Sequence, residues 1–344
     1  MSEPITSTTT RDQEKINSIK TVQQARKVRI GMMYAAMCAP LLGVAFGFAG
    51  MAGSVEPFSR AFPTGSISFQ MFELMFGVVV IIIYSLAQGT IKDSFRIFKS
   101  KLSWYGVMVA MCGMFGDFLY FASAALVGGA IAGPLASLFG FWGAVITSIV
   151  YKEKMRSKWT VIGLVFIVIG LFVASGGANM VAPDGASVHL ILVGAIMGLV
   201  ASIIYGFENF AIAAGSDFMP EEGTLFWRAT WACIGCLILN FLVMPHFTTI
   251  GYEMFSNPTW WAFAAVTGGA WGVYMVGGMY VGINTAGTTG GGVLASTGFV
   301  WATLLSMTVY NAGFSGSVLL GTIILFAGVA VMLIRPSKVI SQLR

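Results

Sequence analysis

Four ionisable residues, Glu73, Asp117, Glu208 and Arg228, fall inside long apolar runs of the chain. A charge in hydrocarbon is costly, so such residues mark places where something is bound, carried or tightly paired. Rings accompany three of them at helical spacing: Tyr120 follows Asp117 by three residues, Tyr205 precedes Glu208 by three, and Trp231 follows Arg228 by three. A carboxylate beside aromatic faces is chemistry suited to ammonium groups, because the ring face is negative and the acid supplies the counter-charge. A carboxylate in an apolar site can also take up and release a proton near neutral pH. Aromatics make up 13% of the chain, so some of these neighbours arise from composition alone. Structural roles compete with each functional one. Glu73 and Asp117 would then hydrogen-bond a neighbouring helix, Glu208 would reach interfacial water, and Arg228 would snorkel or pair with one acid. A direct pair between Glu73 and Arg228 is not implied, since oppositely directed spans put them at different depths.

Trp142 and Trp301 form a second candidate pair. Each falls near the middle of an apolar run rather than at its ends, where interfacial Trp belongs. They stand at equivalent places in "LASLFGFWGAVITSIVY", which begins at Leu135, and "LASTGFVWATLLSMTVY", which begins at Leu294. Two such rings suit the walls of a central cavity, and equally suit plain helix packing.

The elements that must position these residues follow from composition. The chain has 344 residues, of which 57% are hydrophobic and 10% charged, with a mean hydropathy of +0.83. That is too little polar surface to coat a water-soluble globule, where about 25% of residues are charged. Ten runs approach the 20 or so apolar residues a spanning helix needs: 30–52, 67–88, 102–125, 128–151, 158–176, 188–212, 223–244, 259–282, 288–311 and 315–335. They are too long and too uniformly apolar for the alternating strands of an outer-membrane barrel. The expected fold is therefore an all-α membrane protein of ten transmembrane helices. Residues 1–29, polar and ending in Arg26, Lys27 and Arg29, read as a mostly disordered cytoplasmic tail, helical near its end. Further basic clusters follow the second, fourth and tenth runs, at Lys92–Lys101, Lys152–Lys158 and Arg335–Arg344. Lysine and arginine bias sets orientation, and this pattern places both termini in the cytoplasm. The acidic loop "GSDFMPEEG" gives that orientation no support.

A fixed offset of 159 carries Leu135, Ala136, Ser137, Trp142 and Tyr151 onto Leu294, Ala295, Ser296, Trp301 and Tyr310. The same offset carries Gly47 and Phe48 onto Gly206 and Phe207, and one residue fewer carries Gly163 and Gly170 onto Gly321 and Gly328. The fourth and ninth runs thus correspond, and each half, 30–178 and 186–335, holds five. Five is odd, so two halves of like fold enter the membrane in opposite senses. Inverted repeats of this kind give two conformations of similar energy, one open to each side.

With that layout, "GPLASLFGFWGAVITSIVYKEKMRSKWTVIGLVFIVIGLFVA" resembles the fourth and fifth spans of the drug/metabolite transporter (DMT) superfamily in its ten-span, EamA-like form. The resemblance covers about 30–335 and rests on Pro134 near a helix start, Glu153 at its cytoplasmic end, basic neighbours and a Gly-spaced span. Glu73 takes the place of the family's second-span arginine, while Arg228 holds the matching place in the second half. The resemblance implies transport of a small metabolite; the family's substrates include amino acids, amines, sugars and nucleotide derivatives.

These observations lead to a secondary active transporter of the bacterial inner (plasma) membrane, working by alternating access on a cationic or zwitterionic substrate such as an amine or quaternary ammonium compound. Its partners are that substrate, the bilayer and a coupling proton or other ion. Export of neutral amino acids, with the acids as proton sites, is the alternative, and a small-solute channel is the alternative class. One intramembrane arginine argues against phosphorylated substrates. The oligomeric state is open, a homodimer included. No nucleic-acid partner, cofactor or metal is expected. His189 and His246 stand alone near span ends, and "CIGC" at 233–236 reads as small buried residues, so no enzyme motif is present. "GTTGGG" at 287–292 lacks the lysine of a phosphate loop and reads, like "GGAIAG" at 128–133, as a close-packing helix start.

Overall fold

A computed structural model describes residues 6–52, 55–61, 65–98, 103–151, 158–174, 188–215, 221–243, 247–309 and 316–334. Every element among them is helical. In chain order these are α1 (Thr6–Ala52), a 3-10 turn (Phe58–Ala61), α2 (Gly65–Ala87), α3 (Ile91–Phe98), α4 (Ser103–Val127), α5 (Gly129–Ser137), α6 (Phe139–Val150) and α7 (Lys158–Ala174). There follow α8 (Val188–Gly215), α9 (Glu221–Val243), α10 (Phe247–Ser256) and α11 (Pro258–Val273). A π-helical stretch (Tyr274–Val281), α12 (Gly282–Gly287), a second π turn (Thr288–Gly292), α13 (Val293–Ser296), α14 (Gly298–Val309) and α15 (Gly316–Ile334) complete the chain.

Among the described residues, six helices are long and apolar enough to cross a membrane: Gln23–Gly50, Gly65–Ala87, Ser103–Val127, Ala132–Val150, His189–Gly215 and Gly223–Leu242. The other apolar runs fold as α7, as α11 to α12 with a π stretch between, as the short helices ending in α14, and as α15. Lys99, Lys101, Lys152, Lys154, Arg156, Arg335, Lys338 and Arg344, on which orientation was expected to rest, lie outside the described residues, as do Glu153 and most of the acidic loop.

The tail departs from expectation. Residues 6–29 are helical and continue without a break into the first apolar run. No Gly or Pro occurs between Thr6 and Arg29, and Lys, Arg, Gln and Glu are good helix formers, so a helix already nucleated in the apolar run propagates outward.

Helix–helix contacts run through small residues, as expected where hydrocarbon leaves packing to hold the bundle together. A Cβ on Gly170 of α7 would meet the Gly321 carbonyl of α15 at 2.7 Å, and one on Gly328 of α15 would meet the Gly163 carbonyl of α7 at 2.6 Å. The two contacts are the same contact with the helices exchanged. The fourth and ninth runs also share their interruptions. Gly128 and Gly287 both take positive φ, 81° and 74°, which glycine alone adopts freely. Leu138 and Thr297 both end a short helix at αR geometry, each donating its N–H back three residues at 3.2 Å.

Candidate functional site

Asp117 stands on α4 behind two glycines, in "GMFGD". A Cβ on Gly116 would lie 2.5 Å from the ring of Tyr205, and one on Gly113 would lie 2.4 Å from Nη2 of Arg228 and 2.9 Å from Oε1 of Glu208. The bare backbone of α4 therefore admits three large side chains from α8 and α9. Tyr205 donates its hydroxyl to Oδ1 of Asp117 at 2.5 Å, and Gln70 on α2 donates Nε2 to Oδ2 at 2.5 Å. Asp117, Tyr205 and Gln70 are all buried.

Beside them Arg228 donates Nε to Oε1 of Glu208 at 2.7 Å, with both side chains about 3% exposed or less. Local sequence explains the pairing. Glu208 lies about two turns before the end of α8 at Gly215, and Arg228 about two turns after the start of α9 at Glu221, so antiparallel neighbours bring them level. The guanidinium also lies 5.1 Å from the ring centre of Trp271 on α11, whose edge fits where Gly77 of α2 has no side chain. Among the described residues Nη1 of Arg228 has no hydrogen-bond partner.

These groups line one partly open pocket at the centre of the bundle. Asp117, Tyr205, Glu208 and Arg228 supply its polar lining, and Phe46, Phe139, Trp271, Tyr274 and Phe299 its aromatic walls. Leu42, Phe46, Asp117 and Phe139 come from the first half of the chain and the rest of the lining from the second. Small-molecule sites have this character, a largely apolar concavity with a few placed polar groups.

Four sequence-derived candidates thus meet at the cavity and four do not line it. Tyr120 stands behind the wall, its ring 5.3 Å from that of Phe46 and 4.7 Å from that of Phe299. Trp142 packs on Gly206 of α8, where a glycine Cβ would fall 2.4 Å from its own, and Trp301 packs likewise on Gly43 of α1. The two tryptophans lie at matching helix crossings rather than at the cavity wall, because glycines opposite them let the helices close. Glu73 is buried yet outside the lining, and neither of its carboxylate oxygens has a hydrogen-bond partner among the described residues. Glu208 does not reach interfacial water, and Arg228 does not snorkel; the two pair with each other through Nε and Oε1.

Sequence reading missed Gln70, Trp271, Tyr274 and the pair Gly113 and Gly116. Gln70 carried a signal, as an amide one turn before Glu73 in an apolar run, and so did the two glycines ahead of an intramembrane acid. Trp271 carried none, since only the crossing of α2 and α11 brings it under Arg228. Among the described residues no group of His, Cys, Asp and Glu has the arrangement of a metal site, and Cys38, Cys112, Cys233 and Cys236 are free thiols.

No family model matches the chain, and no curated protein matches it. Solved structures do: one, described only as the crystal structure of a protein, superposes with a TM-score of 0.56 at 19% sequence identity, over 89% of this chain and 96% of that one. At that identity the likeness extends to the fold.

Proposed function

We propose that this chain is a secondary active transporter, built as ten transmembrane helices in two inverted five-helix repeats. Its cavity takes a small cationic or zwitterionic metabolite by alternating access. The observation that carries the reading is the cavity between the halves, where an acid held by two donors, an ion pair and five aromatic side chains converge. Asp117 and the ring faces suit an ammonium group. The unpartnered Nη1 of Arg228 suits a carboxylate, so a betaine or an amino acid in zwitterionic form satisfies both ends. The neutral-amino-acid alternative differs in using the acids as proton sites rather than as ammonium ligands.

The repeat draws support from the exchanged contacts of α7 and α15, from the positive-φ pair Gly128 and Gly287, and from the paired breaks at Leu138 and Thr297. An odd number of spans per repeat makes that relation an inverted one, and inverted repeats are a recurrent plan of secondary carriers. Membership of the DMT superfamily and residence in a bacterial inner membrane with both termini cytoplasmic complete the reading.

Purified protein is to be screened for thermal stabilisation by choline, glycine betaine, polyamines, neutral amino acids, sugars and nucleosides, since a ligand specific to the folded state raises its stability. A stabilising ligand is then tested in proteoliposomes. Saturable uptake accelerated by unlabelled ligand on the opposite side supports a carrier. Flux that does not saturate and shows no counterflow overturns it in favour of a channel.

A further inference from the structure

Glu73 is a buried acid that the cavity does not use. Glu73 is 1% exposed, and among the described residues both carboxylate oxygens lack a partner. Three residues earlier on the same face of α2, Gln70 is 2% exposed, spends Nε2 on Asp117, and leaves Oε1 without a partner. Two acids and one amide thus form a row from α2 to α4, with the amide committed at one end.

We propose that Glu73 is a proton-binding site separate from the ligand cavity, and that the Gln70 amide reports its protonation state to Asp117. An ionised carboxylate without donors or a cation is not sustained in an apolar interior, so this arrangement fits the neutral acid. A protonated Glu73 has an O–H to give, and the free Oε1 of Gln70 is an acceptor at helical spacing. That bond holds the amide with its NH₂ toward Asp117. When the proton leaves to water, no other covalent bond is made or broken, and only hydrogen bonds rearrange. The residual carboxylate accepts only, and competes for the same NH₂. Gln70 then turns, and Asp117 loses one of its two donors. Gln70 is a positioning residue, and the affinity of Asp117 for a cationic ligand group changes with the charge on Glu73.

The surroundings leave few other groups to take this part. Asp117 on α4 and Cys236 on α9 are the ionisable neighbours of Glu73. Arg228 on α9 is held by Glu208. Residues 30–52 of α1 and all of α11 contain no Asp, Glu, Lys or Arg. Glu253 of α10 pairs with Arg60 of the 3-10 turn at one end of α2, while Lys92, Asp93 and Arg96 of α3 stand at the other.

This inference deepens the transport reading, but its first test does not depend on it. Infrared difference spectra of the purified protein at neutral pH, with and without heavy-carbon-labelled glutamate, read the carbonyl stretch of a protonated glutamic acid in the unaltered chain. The expected result is a label-sensitive band that Glu73→Gln removes and Gln70→Leu shifts. Absence of the band, or its persistence in Glu73→Gln, overturns the proton site; a band that Gln70→Leu leaves in place and unshifted overturns the amide link. In proteoliposomes carrying glycine betaine, Glu73→Gln is expected to keep counterflow and lose accumulation driven by a pH gradient; accumulation equal to wild type overturns the coupling. Failure of every panel compound to bind or move in wild type counts against the transport reading, while the band stands or falls on its own.

Discussion

Asp117 and Glu73 are both buried acids on neighbouring helices, and they differ in what surrounds them. Asp117 receives a tyrosine hydroxyl and an amide N–H, and an arginine lines the same cavity. Glu73 receives no hydrogen bond at either oxygen from the described residues. The difference lies in the glycines. Gly113 and Gly116 clear the face of α4 on which Asp117 stands, so side chains from α8 and α9 reach it. At Glu73 the close approach is made by backbone instead: a Cβ on Gly268 of α11 would lie 2.2 Å from the Glu73 carbonyl oxygen. Where glycine faces side chains, large polar groups enter between the helices; where glycine faces backbone, the helices themselves close.

The largest expected break in that comparison is at the ion pair. Arg228→Met leaves Glu208 buried without its partner and should cost about 3–5 kcal/mol, read as a drop in unfolding temperature in detergent. Adding Glu208→Leu should restore most of that loss, because the stranded charge goes with it; a double variant as unstable as the single one argues that the pair is not what holds this corner. Asp117→Asn comes next, removing hydrogen bonds to a charged group worth about 1.5–3 kcal/mol each, and should abolish stabilisation by quaternary amines. Gly116→Ala should behave like Tyr205→Phe, since a methyl group there displaces the Tyr205 ring, at about 1–3 kcal/mol. Ligand titration of both variants checks it, and unchanged affinity in Gly116→Ala while Tyr205→Phe weakens binding would sever the link. The smallest effects are expected at Trp142→Phe and Trp301→Phe, which should lower stability modestly and leave ligand affinity unchanged. A large loss of affinity at either would return the tryptophans to the cavity wall.

Much of this was legible before any folding. The four intramembrane charges were conspicuous by their cost, and Tyr205 by its helical spacing from Glu208. The Glu208–Arg228 pair was within reach of sequence too, had the equal distances from the ends of α8 and α9 been counted. The donors of Asp117 were not, because Gln70 and Tyr205 lie 47 and 88 residues away along the chain. Tyr120, Trp142 and Trp301 were chosen for their ring chemistry and position, but such rings also serve packing, and neighbouring helices decided that use.

The sequence by itself determined the solvent of this protein, the length of its apolar helices and the matched interruptions at Gly128 and Gly287. Those are properties of composition and of neighbours along the chain, where glycine permits positive φ wherever it occurs. Tertiary structure alone decided which acid would be satisfied and which left without donors. That outcome depends on the crossings of α2, α4, α8, α9 and α11, set by where glycines let distant backbones approach.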